Sequence, residues 1–213
     1  MADFDTYAVY ADFSCVSSDD EELCRKAIEP HIGEGQAKLR AESVYGRAIL
    51  KYMLRRCYGV TDFEVAVGEN GKPYIKNSNL YFNLSHSEKM VMCAVSSDET
   101  GCDVQLIKPY KENVAKRFFT KDEYALLCKT ENTDEVFTRL WALKEAILKQ
   151  KAVGIGGISE YGFSEKLFCN SFSAYGLCFS CFKKDNYCYG ICSCSESISV
   201  SGVDANEIIG SLI

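Results

Sequence analysis

The chain has 213 residues, 47% of them hydrophobic and 25% charged, with a formal net charge of -6. That length supports one large or two small domains with a real core, and the acidic balance argues against a nucleic-acid binder while leaving room for a local basic pocket that takes a phosphate-bearing ligand. No run approaches the roughly 18 apolar residues of a membrane span, and the opening MADFDTYAVYADF carries early aspartates and no basic segment of the signal-peptide kind, so a cytoplasmic protein is expected.

In chain order, DTYAVYADF (5–13) reads as a strand and DDEELCRKAIE (19–29) as a short helix whose acidic start suits the helix dipole. AKLRAESVYGRAILKYMLRRCY (37–58) reads as a long helix, with Ala41, Val44 and Ala48, and Tyr45, Ile49 and Met53, at helical spacing. DFEVAV is a strand closed by the turn GENGKP. LYFNLSHS and KMVMCAVSS form a hairpin, and DETG turns the chain into CDVQLI. The pattern then switches to helices at KENVAKRFF and TKDEYALLCKT, where Thr120 stands three residues before Glu123 as in a capping box. TDEVFTRLWALKEAILKQ (133–150) is a long helix with Thr133 as the expected N-cap, ended by Gly154, Gly156 and Gly157. Strands and turns follow from Ile158. Hairpin-length turns between strands, mixed with helices, predict an α+β fold and not a parallel doubly wound sheet.

Twelve cysteines are present. Their irregular spacing favours free thiols serving as small buried hydrophobes. Cys178, Cys181, Cys188, Cys192 and Cys194 superficially suggest a zinc site. A hairpin, GLCFSCF–KKDN–YCYGICSC, explains the same residues as alternating strand positions and is the preferred reading.

Four short clusters carry chemistry. NGKPY places Lys72 on a turn. FNLSHS gathers Asn83, Ser85, His86 and Ser87, a hydroxyl–imidazole set able to bind phosphate, and no nucleophile elbow surrounds Ser85. GCDVQ puts Asp103 and Gln105 on one face of a strand, which fits a solvated edge and a site for a hard cation such as magnesium alike. In WALKEAILK, Trp141, Glu145 and Lys149 share a helix face, which an ordinary surface pair beside a packed tryptophan would also produce.

Taken together, the order GKP, FNLSHS, GCDVQ, RFFTKDE, WALKEAILKQ resembles the Sfp-type 4′-phosphopantetheinyl transferases between Gly71 and Gly154, and more weakly around Lys38 to Leu54. The resemblance implies a pseudo-dimer of two similar halves, 1–108 and 109–213, each a small antiparallel sheet with a long helix, and coenzyme A bound in the cleft between them. It implies transfer of the 4′-phosphopantetheine arm of coenzyme A to a serine of an apo acyl or peptidyl carrier protein, with release of adenosine 3′,5′-bisphosphate, by a monomer. Asp103 and Glu145 resemble the magnesium ligands. Gln105 stands where many relatives have glutamate, so a site with one fewer anionic ligand is expected. Glu123 resembles a family acid near the metal, and either Glu123 or Glu145 would be the general base, with Glu145 preferred. Lys149 resembles the lysine beside the diphosphate. Lys72, Ser85 and His86 match residues that hold the phosphates and adenine end of coenzyme A, Ser43 matches a hydroxyl residue touching the nucleotide, and Lys38 and Arg40 are further basic partners. Trp141 is assigned to packing. VAKRFF, with Lys116, Arg117, Phe118 and Phe119, is the expected docking surface for an acidic carrier. The competing readings are a coenzyme A-binding protein of this fold without catalysis, and a zinc module at 178–194.

Overall fold

The computed structural model describes residues 6–33, 39–68 and 71–213. Its first sheet has the order β10-β1-β5-β4, built from β1 (Thr6–Asp12), β4 (Tyr81–Ser87), β5 (Met90–Ser96) and the late strand β10 (Ile198–Gly202). A two-stranded ribbon, β2 (Val65–Val67) with β3 (Pro73–Ile75), stands beside it. One face of the sheet packs on α1 (Ser18–Ile28) and α2 (Ala41–Tyr58) through Val9, Ala11, Val91, Cys93 and Val95. The other face, with Ala8, Met90, Met92 and Ala94, meets the second sheet. Every residue of β5 is therefore buried, which explains why MVMCAVS is apolar throughout instead of alternating.

The second sheet has the order β6-β9-β8-β7, from β6 (Thr100–Leu106), β7 (Ser171–Ala174), β8 (Leu177–Lys184) and β9 (Tyr187–Ser193). Its outer face carries α5 (Thr133–Gln150) over Leu177, Phe179, Cys181 and Cys192, with α3 (Glu112–Phe118) and α4 (Lys121–Leu127) flanking. Its inner face gives Cys102, Val104, Tyr189 and Ile191 to the inter-sheet core. The strands β8 and β9 form the expected hairpin, with Cys181 opposite Gly190 and Cys192 opposite Phe179. Cys181, Cys188 and Cys192 are buried free thiols on its α5-facing side.

Edge strands β4 and β6 close the seam between the sheets. Asn83 Oδ1, Ser85 Oγ and Ser87 Oγ accept the backbone N–H groups of Cys102 (2.9 Å), Val104 (3.3 Å) and Leu106 (3.0 Å). Alternate polar residues of FNLSHS thus satisfy an edge that would otherwise be buried without partners.

The sheets do not divide at the expected boundary of 108. The strand β6 lies before it in sequence yet pairs with β9, because Thr100–Leu106 matches Tyr187–Ser193 antiparallel. After β9 the chain returns to the first half. There β10 pairs parallel with β1, and α6 (Ala205–Gly210) is tied to α2 by Tyr52 and Arg56, which donate to Glu207 at 2.8 and 3.0 Å. Two helix starts also differ. Within the described residues α2 begins at Ala41, with Arg40 at its N-cap position. Asn132, not Thr133, occupies the N-cap position of α5, and the Thr133 hydroxyl turns back to the Thr130 carbonyl. No described helix is long and apolar enough to cross a membrane.

Candidate active site

The site begins with the pleat of β6. Gly101, Asp103 and Gln105 share the face toward α5, while Cys102 and Val104 face the inter-sheet core. A Cβ on Gly101 would lie 2.1 Å from the Ala146 carbonyl oxygen, and one on Gly190 of β9 would lie 2.7 Å from that of Ala142. The bare backbone of both strands thus lets α5 settle onto the sheet at its own small residues, Ala142 and Ala146. Lys149, three residues beyond Ala146, then reaches Asp103.

Asp103 is 1% exposed and fully engaged. Its Oδ1 accepts from Lys149 Nζ at 2.7 Å and from the Ser85 hydroxyl at 2.7 Å, and its Oδ2 accepts from Gln105 Nε2 at 2.9 Å. Lys149 also donates to Ser85 Oγ (3.0 Å) and to the Cys102 carbonyl (3.3 Å). Burial works against the Lys149 charge, but Asp103, the Cys102 thiol and Glu145 outweigh it and leave its pKa above the usual value. Glu145 is pushed above the usual carboxylate range, first by burial and then by Asp103, with Lys149 offsetting part of the rise. Asp103, Glu145 and Lys149 therefore act on one another as a small, partly buried charge cluster drawn from β6 and α5, with Ser85 supplied across the seam by β4.

Beside it opens a cleft of about 460 Å³ bordered by Lys72, Pro73, Asn83, Leu84, Lys149 and Val153. Lys72 Nζ donates to the Gln150 carbonyl at the end of α5 (3.1 Å), and burial lowers its pKa. A second groove, about 300 Å³, starts at Gln105 and runs over Leu106, Pro109, Val114, Phe118, Phe137 and Trp141, with Lys108 and Lys111 on its rim. Trp141 stacks on Phe137 there at 6.0 Å.

Several expected residues are placed differently. Glu123 is held by its own set of contacts. It is 0% exposed, closes the capping box of α4 with Thr120, accepts from the Phe163 N–H at 2.9 Å and pairs with buried Lys144 at 2.9 Å. Its oxygens are thus engaged by Thr120, Phe163 and Lys144. Ser85 is buried, and its hydroxyl is engaged with Asp103, Lys149 and the Val104 N–H. His86 lies on the opposite face of β4 from Ser85 and is exposed. Leu84 shares that face and packs on α2 at Gly46, so His86, exposed Arg40 and half-buried Ser43 occur on the α2 side of the first half. Lys38 lies outside the described residues. Gln105 touches Asp103 as a donor. Lys116 and Arg117 are exposed, Phe118 lines the second groove and Phe119 is buried. The sequence reading missed the paired glycines Gly101 and Gly190. Their signal was the spacing of Ala142 and Ala146 on one helix stripe facing strand glycines.

Asp103 and Glu145 are the residues here that could hold a hard divalent cation. Burial and Asp103 raise the Glu145 pKa, and Lys149 lowers it. Among the described residues no group of three or more His, Cys, Asp or Glu side chains could hold a metal ion. A magnesium ion here would complete its shell with water and phosphate oxygens, as magnesium does at substrate-phosphate sites.

Residues 99–192, which span the second sheet from β6 to β9 together with α5, match the family model of the 4′-phosphopantetheinyl transferase superfamily. The chain is 32% identical over 148 residues to 4′-phosphopantetheinyl transferase Sfp of Bacillus subtilis, an alignment covering 67% of this chain and 62% of that protein. It is 37% identical over 126 residues to the transferase HetI of Nostoc, covering 54% of this chain and 53% of that protein. The transferase AcpT of Escherichia coli O157:H7 is 34% identical over 123 residues, covering 54% of this chain and 60% of that protein. The matched part thus spans about three-fifths or less of the length of these relatives.

Proposed function

We propose that this chain, which belongs to the 4′-phosphopantetheinyl transferase superfamily, transfers the 4′-phosphopantetheine arm of coenzyme A to a serine of an apo acyl or peptidyl carrier protein. The observation that carries the reading is the Asp103–Lys149–Glu145 cluster, built within the matched segment and opening beside a cleft bordered by Lys72 and Lys149. The resemblance of the sheet-and-helix units supports a pseudo-dimer, since α2 and α5 are both 18-residue helices against four-stranded sheets.

In this reading the cleft takes the diphosphate of coenzyme A, with Lys72 and Lys149 supplying positive charge and His86, Ser43 and Arg40 available on the α2 side. Lys149 stabilises the oxygen of the leaving adenosine 3′,5′-bisphosphate as the bond from phosphorus to it breaks. The carrier serine Oγ forms the new bond to that phosphorus, and its proton passes to Glu145. Burial and Asp103 raise the Glu145 pKa in the cation-free protein. Asp103 and Glu145 would hold Mg2+, which when bound neutralises charge on the diphosphate. The groove over Phe118, Phe137 and Trp141, rimmed by Lys108 and Lys111, suits an acidic, partly apolar carrier surface arriving next to the cluster. The protein works as a cytoplasmic monomer.

The test is release of adenosine 3′,5′-bisphosphate from coenzyme A. It should require both a divalent cation and an apo carrier, and a panel of carriers from fatty-acid, polyketide and nonribosomal peptide synthesis covers the acceptor classes. Tight coenzyme A binding without release, across all carriers, would instead mark a binding protein of this fold.

A further inference from the structure

The chain leaves α5 along the rim of the cleft, through Ala152, Val153 and Gly154, on a segment built unlike the helix before it. Ala152 has a φ of 52°, in the left-handed region that glycine enters freely and alanine does not. Gly154, Gly156 and Gly157 follow. Val153 and Ile155 alternate with these glycines and stand 50% and 45% exposed, although both are large aliphatics. Both ends of the segment are held. The Val153 N–H donates to the Leu148 carbonyl at 3.1 Å. Ile158 is buried, and its carbonyl accepts from Lys144 Nζ at 3.1 Å, with the Tyr161 carbonyl a second acceptor. Between these points the Gly157 N–H reaches the Gly154 carbonyl only at 3.5 Å. The cleft itself joins an apolar wall, Pro73, Leu84 and Leu148, to the ammonium groups of Lys72 and Lys149.

We propose that residues 152–157 form a strap that folds down over coenzyme A in the cleft, hinged at Ala152 and at the Lys144-held Ile158, and lays Val153 and Ile155 on the ligand. The identity of that ligand rests on the transferase reading. Closing uses backbone conformations that glycine reaches readily and other residues do not, and leaving the left-handed region relieves Ala152. The two aliphatics face water in the free protein, and covering the apolar part of the ligand beside its phosphates removes their surface from solvent. The closed strap also excludes water from the cleft, which strengthens the hold of Lys72 and Lys149 on the phosphates. Lys144 grips the outer hinge through backbone carbonyls, so the motion stays within the strap and does not pass into the fold beyond Ile158.

The experiment pairs calorimetric binding of coenzyme A, in Mg2+, with trypsin cleavage after exposed Lys151, and cleavage after exposed Lys129 on the turn beyond α4 is the internal reference. Saturating coenzyme A should slow cutting after Lys151 by about tenfold or more and leave Lys129 unchanged. A variant with Gly154→Ala, Gly156→Ala and Gly157→Ala keeps the open conformation, since an added Cβ meets nothing closer than 3.9 Å at any of the three. By restricting the strap it should bind coenzyme A about tenfold more weakly and lose the protection. The variant Val153→Ser with Ile155→Ser changes only exposed side chains and should also bind about tenfold more weakly. Melting curves check that both variants are folded. Undiminished cutting after Lys151, or wild-type affinity in the serine variant, would overturn the strap. So would protection that survives the three alanines, because the ligand itself would then be the shield. A wild type that binds no coenzyme A removes the transferase reading together with the strap's ligand, whereas tight binding with any of the other failures removes the strap alone.

Discussion

Glu145 and Glu123 are both partly or wholly interior, and their surroundings give them opposite duties. Glu145 has a raised folded pKa, caused first by burial and then by Asp103. The folded protein therefore holds the Glu145 proton more tightly than the unfolded chain. The stability gained from that proton is full below the ordinary value of 4.5 and is lost as pH rises through the raised one. Glu145→Gln should flatten the fall in melting temperature across that window and should abolish transfer. Melting curves from about pH 4 to pH 8 without divalent cation check the first point. Glu123 instead sits in a fully buried pair with Lys144. Glu123→Ala leaves that ammonium unpaired and removes a helix cap, so it should cost about 3–5 kcal/mol, while turnover per folded molecule stays within a few-fold of wild type. A loss of turnover by orders of magnitude in folded protein would restore Glu123 to the chemistry. Asp103 and Lys149 were legible in the sequence because strand and helix periods put them on definable faces. Ser85 was singled out as a polar member of FNLSHS, but its partners were not legible, since β4 and β6 meet through tertiary packing that no local pattern encodes. Glu123 showed both its signals, the family acid and the capping box, and the capping box describes its place in the fold.

The approach of α5 to β6 and β9 is the element-scale feature that builds the site. Gly101 and Gly190 leave room for helix backbone, and a methyl at Gly101 would meet both the Ala146 carbonyl and the Gln150 N–H, at 2.1 and 2.5 Å. Neither contact can be relieved by turning a side chain. Gly101→Ala must therefore lift the C-terminal half of α5 and carry Lys149 away from Asp103, and it should reduce transfer by about a hundredfold, the scale of a 1 Å misplacement. Melting temperature and turnover, measured together, check this. Unaltered turnover would show that the helix position does not set the cluster. The long helices, the β4–β5 hairpin and the β8–β9 hairpin were legible from periodicity and turns. The start of α5 was not. Thr133 and Asn132 are both good cap residues, and the Asp134 side chain accepting from the Tyr110 N–H at 2.9 Å helps fix the helix start by a tertiary contact.

At the scale of the molecule, two sheets share a core and a polar seam, and the site lies where both meet. The return of β10 and α6 to the first half could not be read from sequence, because a short strand gives no sign of which edge it will join. The seam depends on side chains of β4 accepting backbone donors of β6. Asn83→Ala would leave the Cys102 N–H buried without its 2.9 Å partner, at a cost of about 1–3 kcal/mol. Denaturant titration would measure that loss, and an unchanged midpoint would mean that the seam is held by its apolar core alone. The central claim is that the Asp103 cluster moves phosphopantetheine from coenzyme A to a carrier. It is tested most directly by the intact mass of an apo carrier incubated with coenzyme A, Mg2+ and either wild-type protein or Asp103→Asn. The account predicts a carrier heavier by one phosphopantetheine with the wild type and an unmodified carrier with a folded Asp103→Asn. Equal modification by both proteins, or by neither across the carrier panel, would contradict it.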